Sequence, residues 1–419
     1  MGKHRRECRV LIKTHFSLNK YFILIFWQII LNIILLYTIF KDGGVLLVGS
    51  SKKIGSRIFY LDQLRALAII AIIFAHVSNL WYGSALGSLN WMVLYFFNIA
   101  GRMGVPIFLM LSGALLLNRD YAIYDFIKRR FPRVLIPFIF WMIIAIILVL
   151  VTRDVYSYFI SLSNAVIFVV ETFLTSRWYV WMILGVYLAM PIINDFVKNR
   201  GLKGVEYFLI LWVITSTLLL LSLYFHKSMY YLDLTIFAGP LGFVLLGYYI
   251  HNKDFKKAFN YSPDKLAVLG LLLFISAVLI KTILVYMHVF DPYMFRYYIF
   301  QTKSHLEIDI FAFIQAMGIF LMFKYLNDSN AKELTTKISS FLKDGLMGRL
   351  TVSLSRCSYG IYLNHYISIA IIGLIGFDAV THNALKWIPF LAIVILIVSW
   401  VLILIMDKIP YLNKLSGTH

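Results

Sequence analysis

Eleven runs of mostly apolar residues punctuate this chain of 419 residues, each about the 20-residue length that a helix needs to cross a bilayer. They lie near 20–40, 60–80, 91–118, 134–152, 178–196, 205–225, 232–250, 266–288, 305–325, 357–376 and 387–406. Only 14% of the residues are charged, where a soluble domain carries roughly 25%, and the mean hydropathy is +0.82. A water-soluble globule is excluded. The expected fold is an all-α polytopic membrane protein, a ten-helix core bundle plus an extra N-terminal hydrophobic helix. The stretch 158–175 is shorter and carries Glu171, so it reads as interfacial or re-entrant. Cys8 and Cys357 are too few for a disulfide framework or a Cys-rich metal site, and no metal is expected.

The formal charge of +19 would suggest nucleic acid in a soluble protein. Here its placement matters more, and no nucleic-acid partner is expected. Alternate loops of the last ten runs hold 24 Lys and Arg residues, against 6 in the opposite set. Basic loops stay in the cytoplasm, so both ends of the ten-helix unit are expected there, in a multi-pass protein of the plasma membrane. The first run, Tyr21–Phe40, has basic segments on both sides, which one crossing cannot satisfy. It reads as an accessory helix or as an upstream extension that is not translated. The chain divides into an N-terminal extension (1–57), the membrane domain (58–407) and a short cytoplasmic tail (408–419).

Outer loops are short, so the chemistry is expected inside the bundle. On the inner side, 330–347 places Leu334, Ile338, Phe341, Leu342 and Leu346 on one helical stripe, the pattern of an interfacial amphipathic helix.

Ionisable groups inside spans mark functional sites by default. Arg65 and His76 are eleven residues apart, about three helical turns and about 16 Å along the axis, so both face one way. Asp62, three residues before Arg65, is close enough to orient it. A buried neutral imidazole can take a proton from an attacking hydroxyl, and a guanidinium can hold phosphate or carboxylate. The alternatives are a packing histidine and an arginine that snorkels to lipid phosphate. Lys128, Arg129, Arg130 and Arg133 form a basic mouth that could grip a polyphosphate, or anchor the chain on anionic lipid. Gly101-Arg102-Met-Gly104-Val-Pro106-Ile-Phe108 through Ser112-Gly113 mixes small residues, which let helices approach closely, with one arginine able to bind an acidic substrate or to snorkel. Ser358, Tyr362 and His365 share a helix face, His365 being either a polar wall of the site or a packing residue. Trp178-Tyr179 starts a span, where an aromatic belt competes with sugar stacking. His288, His305, Lys281, Glu307 and Asp309 lie near span ends and read as interfacial.

No Walker loop, HExxH, CxxC, GxSxG or dinucleotide fingerprint occurs. Taken in order, Tyr60-Leu-Asp62-x-x-Arg65 with His76, Gly104-Val-Pro-Ile-Phe108, Lys128-Arg-Arg130-x-x-Arg133-x-x-x-Pro137, Trp178-Tyr179 and Ser358-x-Gly360-Ile-Tyr362-Leu-x-His365 resemble the membrane-bound acyltransferase 3 family, which acylates cell-surface sugars. The resemblance covers nearly all of 58–407. The helix before residue 41 departs from it, as does the lack of the extracellular hydrolase-like domain of some members. It implies acyl-CoA, acetyl-CoA first, as a co-substrate and not a resident cofactor, with a glycan or lipid-linked sugar hydroxyl as acceptor. It implies His76 and Arg65 as the catalytic pair, Arg130 and Arg133 (with Arg129 and Lys128) on the donor side, and Arg102, Trp178, Tyr362 and His365 toward the acceptor. The competing class is a transporter or flippase that uses Arg65, His76 and Arg102 as a polar pathway. It would ideally show internal repeats, and none is visible.

Overall fold

In the computed structural model of the chain, residues 57–152, 178–225, 237–287 and 310–418 are described, and every regular element among them is helical. The apolar run 20–40, the stretch 158–175 and His288, His305, Glu307 and Asp309 lie outside the described residues. The helices are α1 (Phe59–Ser78), α2 (Leu89–Gly101), α3 (Gly104–Leu116), α4 (Ile123–Thr152), α5 (Trp178–Phe225) and α6 (Leu241–Asn252). They continue with α7 (Phe255–Phe259), α8 (Pro263–Met287), α9 (Ile310–Leu326), α10 (Glu333–Lys343), α11 (Gly345–Leu374) and α12 (Ala384–Lys408). Six helical stretches among the described residues are long and apolar enough to cross a membrane, and Ile310–Leu326 is a shorter apolar helix. This is a membrane protein. On α8, Leu272, Ile275, Leu279, Ile280 and Ile283 are all exposed, which suits hydrocarbon and not water.

Helix α1 is the centre of the bundle, in contact with α2, α3, α9, α11 and α12. Its start and that of its neighbour follow local rules. Asp62 lies in the first turn of α1, where carboxylates favour the helix dipole, and Ser88 caps α2 by accepting from Trp91 N at 3.2 Å. The run expected as one span at 91–118 is one membrane-length stretch, Leu89–Leu116, whose helix breaks at Arg102 and Met103 into α2 and α3. Pro106 explains the break, since it cannot donate to the carbonyl of Arg102 four residues earlier and its ring crowds that carbonyl. The glycines beside the break have the role expected of small residues. A Cβ on Gly104 would lie 2.6 Å from Ala68 O of α1, and one on Gly113 would lie 1.8 Å from Val244 O of α6.

The two runs expected at 178–196 and 205–225 join into α5, interrupted where Gly201 takes φ 59° and ψ −158°, a conformation that glycine alone adopts without strain. Helix α4 starts at Ile123, eleven residues before the apolar run expected at 134, so the basic segment is helical. At the other end of the bundle's sequence, Lys324 of α9 donates to Ile250 O at 2.7 Å and Lys253 O at 2.7 Å. It thereby caps the carbonyl end of α6, where a cation is favoured.

Helix α10 covers the middle of the amphipathic stripe expected over 330–347, with Leu346 falling on α11, and its orientation is informative. Thr335 Oγ1 donates to Asp264 Oδ1 at 2.6 Å and Ser339 Oγ to Asn327 Oδ1 at 3.2 Å, so this edge faces protein, while Glu333 and Lys337 pair on an exposed face. Ile338 and Phe341 are 45% and 66% exposed, so the apolar side faces outward, as a helix lying in a membrane interface requires.

Candidate active site

Arg65 sits about one and a half turns into α1, in a small polar hub. Ser355 of α11 donates to Asp62 Oδ1 at 2.7 Å, Arg57 donates to the same carboxylate through Nε at 2.5 Å and Nη2 at 2.8 Å, and Arg65 Nη1 lies 4.0 Å from Oδ1. Arg65 Nη1 also donates to Ser355 Oγ at 3.4 Å. The bidentate pairing with Asp62 raises the pKa of Arg57 above its ordinary value. Asp62 therefore faces Arg65 but binds Arg57 and Ser355 more closely, and Ser355 carries the contact between the two helices.

Arg65 opens onto a cavity of about 400 Å³, within the ~300–1,000 Å³ of small-molecule sites. One end is cationic, with Arg119, Arg130 and Arg133 beside Arg65. The walls come from α3 (Phe108, Ser112), α5 (Tyr187, Ile183) and α11 (Ser355, Ser358, Tyr359). At the deep end the Tyr179 and Tyr362 rings meet edge to face at 5.2 Å. The α4 wall is fixed to α11 by Tyr359 Oη, which donates to Val134 O at 2.8 Å.

His76 lies past that end, beyond the cavity lining. Its Nδ1 is 2.9 Å from His365 Nε2, the two rings stack at 5.0 Å, and Tyr366 lies against both, at 4.6 and 4.5 Å. His365 is fully buried, and its Nδ1 lies 2.6 Å from Tyr362 O. Ser355 faces Arg65 and His365 faces His76, so α1 and α11 run side by side in the same direction. Arg102 is half-buried at the α2–α3 break, where its Nε donates to Asn98 Oδ1 at 3.0 Å. Asn98 in turn donates to Ala75 O at 3.2 Å and Asn79 Oδ1 at 2.8 Å, which ties Arg102 to the turn of α1 that carries His76.

Of the residues singled out in the sequence, the cavity gathers Arg65, Ser112, Arg130, Arg133, Ser358 and Tyr362, but not His76, His365 or Arg102. Lys128 and Arg129 point along other faces of α4 and do not line it. Trp178 is 38% exposed while its neighbour Tyr179 is 8% exposed and lines the site. Arg119, Asn194, Tyr187 and Ser355 did not stand out in the sequence. Asn194 holds the loop that carries Arg119, accepting from Arg119 N at 3.3 Å and donating to Arg119 O at 2.9 Å. Next to it Lys198 pairs with Asp120 and lowers that carboxyl's pKa. Only their side-chain chemistry is visible in sequence; their meeting depends on α5, α11 and the loop between α3 and α4.

Among the described residues no cluster of three or more His, Cys, Asp or Glu side chains could hold a metal ion. No curated protein and no solved structure matches the chain. A family model described as an acyltransferase domain, Acyl_transf_3, matches residues 58–406, a range that contains every side chain of the cavity and both histidines. The arginine-lined cavity and the histidine pair beyond its Tyr362 wall thus both lie within the matched region, and the chain belongs to the acyltransferase 3 family.

Proposed function

We propose that the protein is an O-acyltransferase of the plasma membrane that moves an acyl group, acetyl first, from acyl-CoA to a hydroxyl of a cell-surface or lipid-linked glycan. The observation that carries this reading is a cavity that gathers Arg119, Arg130, Arg133, Arg65 and Tyr362, with the His76–His365 pair just behind Tyr362. The phosphates of coenzyme A would rest among the arginines, whose planar donors suit phosphate oxygens. The pantetheine arm would run toward Tyr179 and Tyr362, whose rings must part for the thioester to reach His76. The acceptor would enter from the other side, near Arg102.

His76 acts as base in this scheme. The acceptor's O–H proton passes to its imidazole as the oxygen attacks the thioester carbonyl carbon. A C–O ester bond forms, the C–S bond breaks, and the departing thiolate takes the proton back.

The same reading places the arginine mouth in the cytoplasm and the chain in ten core crossings. The parallel course of α1 and α11 agrees with it, because seven crossings between them return the chain to its starting side. Helix α5 spans 48 residues, about 72 Å at 1.5 Å per residue, more than twice a ~30 Å hydrocarbon core, so Gly201 would mark the turn between two crossings.

The test is acyl transfer in isolated membranes. His76→Ala should abolish CoA-thiol release from acetyl-CoA and O-acylation of glycan, a loss of at least the ~10²–10⁴-fold of a general base, with expression intact. Wild-type turnover in that variant removes the proposal.

A further inference from the structure

The histidine pair fixes more than a distance. His365 Nδ1 lies 2.6 Å from the Tyr362 carbonyl oxygen and 3.3 Å from that of Ile361. A carbonyl oxygen can only accept, so this nitrogen bears the proton. In a neutral imidazole the other nitrogen, Nε2, is then an acceptor. It faces His76 Nδ1 at 2.9 Å, so His76 Nδ1 carries an N–H and donates to it. With both rings neutral, the lone pair of His76 resides on Nε2.

We infer that His365 is a positioning residue, which holds His76 in the Nδ1–H tautomer and makes Nε2 the nitrogen that takes the acceptor's proton. This inference rests on the assignment of His76 as the base. Once His76 is protonated, its Nδ1–H still points at a lone pair, so the imidazolium is oriented and stabilised without any movement. An orienting third group serves a nucleophile–histidine pair in the same way, here with a neutral imidazole in place of a carboxylate. The arrangement is held rigidly. His365 is fully buried, and Tyr366 packs on both rings. Tyr362 contributes twice, its ring lining the cavity and its carbonyl setting the His365 tautomer, so the donor site and the base share one residue.

Three substitutions at position 365 test this. Gln can place an acceptor oxygen where Nε2 stands. Asn keeps a donor toward the Tyr362 carbonyl but does not reach His76, and Leu keeps neither. The assay uses acetyl-CoA and the glycan fraction of the expressing cells, in membranes carrying each variant. His365→Asn and His365→Leu should lose about 10²-fold or more in kcat with donor KM unchanged, while His365→Gln stays within about tenfold of wild type. Thermal stability of each purified variant is measured alongside; if Leu does not fold, the Asn and Gln pair still decides. Equal losses in all three would assign His365 to packing and overturn the inference, as would an Asn variant as active as Gln. His76→Ala separates the two layers. Retained activity there removes the base itself, whereas an inactive His76→Ala beside a fully active His365→Asn removes the positioning role alone.

Discussion

Ser355 links α11 to α1 by donating to the Asp62 carboxylate at 2.7 Å, while Arg65 reaches the same hydroxyl at 3.4 Å. The serine therefore sets where the Arg65 guanidinium stands in the cavity. Ser355→Ala should lower kcat/KM for the donor about 2- to 10-fold, the range of one net hydrogen bond of ~0.5–1.5 kcal/mol. Asp62→Asn should act mainly on stability, because it leaves Arg57 and Arg65 without their counter-charge. The cost falls below the ~3–5 kcal/mol of a fully buried pair, since the two arginine side chains keep 39% and 30% exposure. Melting of the detergent-purified variants reads this directly; an Asp62→Asn protein that melts with wild type would show the hub to be dispensable.

The donor site makes a position-resolved prediction. Arg130 and Arg133 line the cavity and Lys128 and Arg129 do not. Arg130→Ala combined with Arg133→Ala should raise the donor KM about 10- to 100-fold, given ~1.5–3 kcal/mol for a hydrogen bond to a charged group, and leave kcat near wild type. Lys128→Ala with Arg129→Ala removes the same net charge and should leave KM within about twofold, as cations outside the cavity interact weakly through screened solvent. Equal KM values in the two double variants would mean that bulk charge, not position, governs the donor.

These contrasts also mark the limit of what the sequence discloses. The eleven-residue spacing of Arg65 and His76 was legible because one uninterrupted helix carries both, and helical geometry alone sets their common face. The basic mouth was legible as a cluster, and the three-residue spacing of Arg130 and Arg133 set them on one face only on condition that the segment is helical. Its phase depends on α4 starting at Ile123, inside a segment too polar to read as span, and once helical, Arg130 and Arg133 share a face three residues apart. Trp178 and Tyr179 pose the same difficulty in its shortest form, since adjacent residues point about 100° apart and composition cannot choose between them. Ser355, Asn194 and Arg119 were hidden for another reason. Each acts through a partner on an element distant in sequence, and no local pattern records such a meeting.

Asn194 illustrates that long-range class and is testable. Its amide makes two hydrogen bonds to the backbone of Arg119, at 3.3 and 2.9 Å, and the side chain is buried. Asn194→Ala should free the loop and raise the donor KM about 3- to 10-fold, in line with ~0.5–1.5 kcal/mol per net hydrogen bond. Asp120, on the same loop, pairs with Lys198 at the surface. Asp120→Ala should leave the donor KM unchanged, because exposed ion pairs contribute little. Titrating acetyl-CoA against both variants checks the pair of expectations, and an unchanged KM for Asn194→Ala would remove Arg119 from the donor site.

The close approach of α3 to α6 makes a stability prediction independent of any chemistry. A Cβ at Gly113 would lie 1.8 Å from the backbone oxygen of Val244, which no side-chain rotation can relieve. Gly113→Ala should therefore separate the two helices and cost about 1–3 kcal/mol, the range for overpacking a core, with a lower melting temperature in detergent. Gly185 supplies the control. It lies inside α5, where an added Cβ would meet nothing within 4 Å, so Gly185→Ala removes backbone freedom without a clash and should be neutral or stabilise by roughly 0.5–1 kcal/mol. Two glycine-to-alanine changes of identical composition should thus differ in sign or size, Gly113→Ala lowering the melting temperature and Gly185→Ala holding or raising it. If Gly113→Ala melts at or above the wild-type temperature, the α3–α6 contact is looser than its backbone separation indicates.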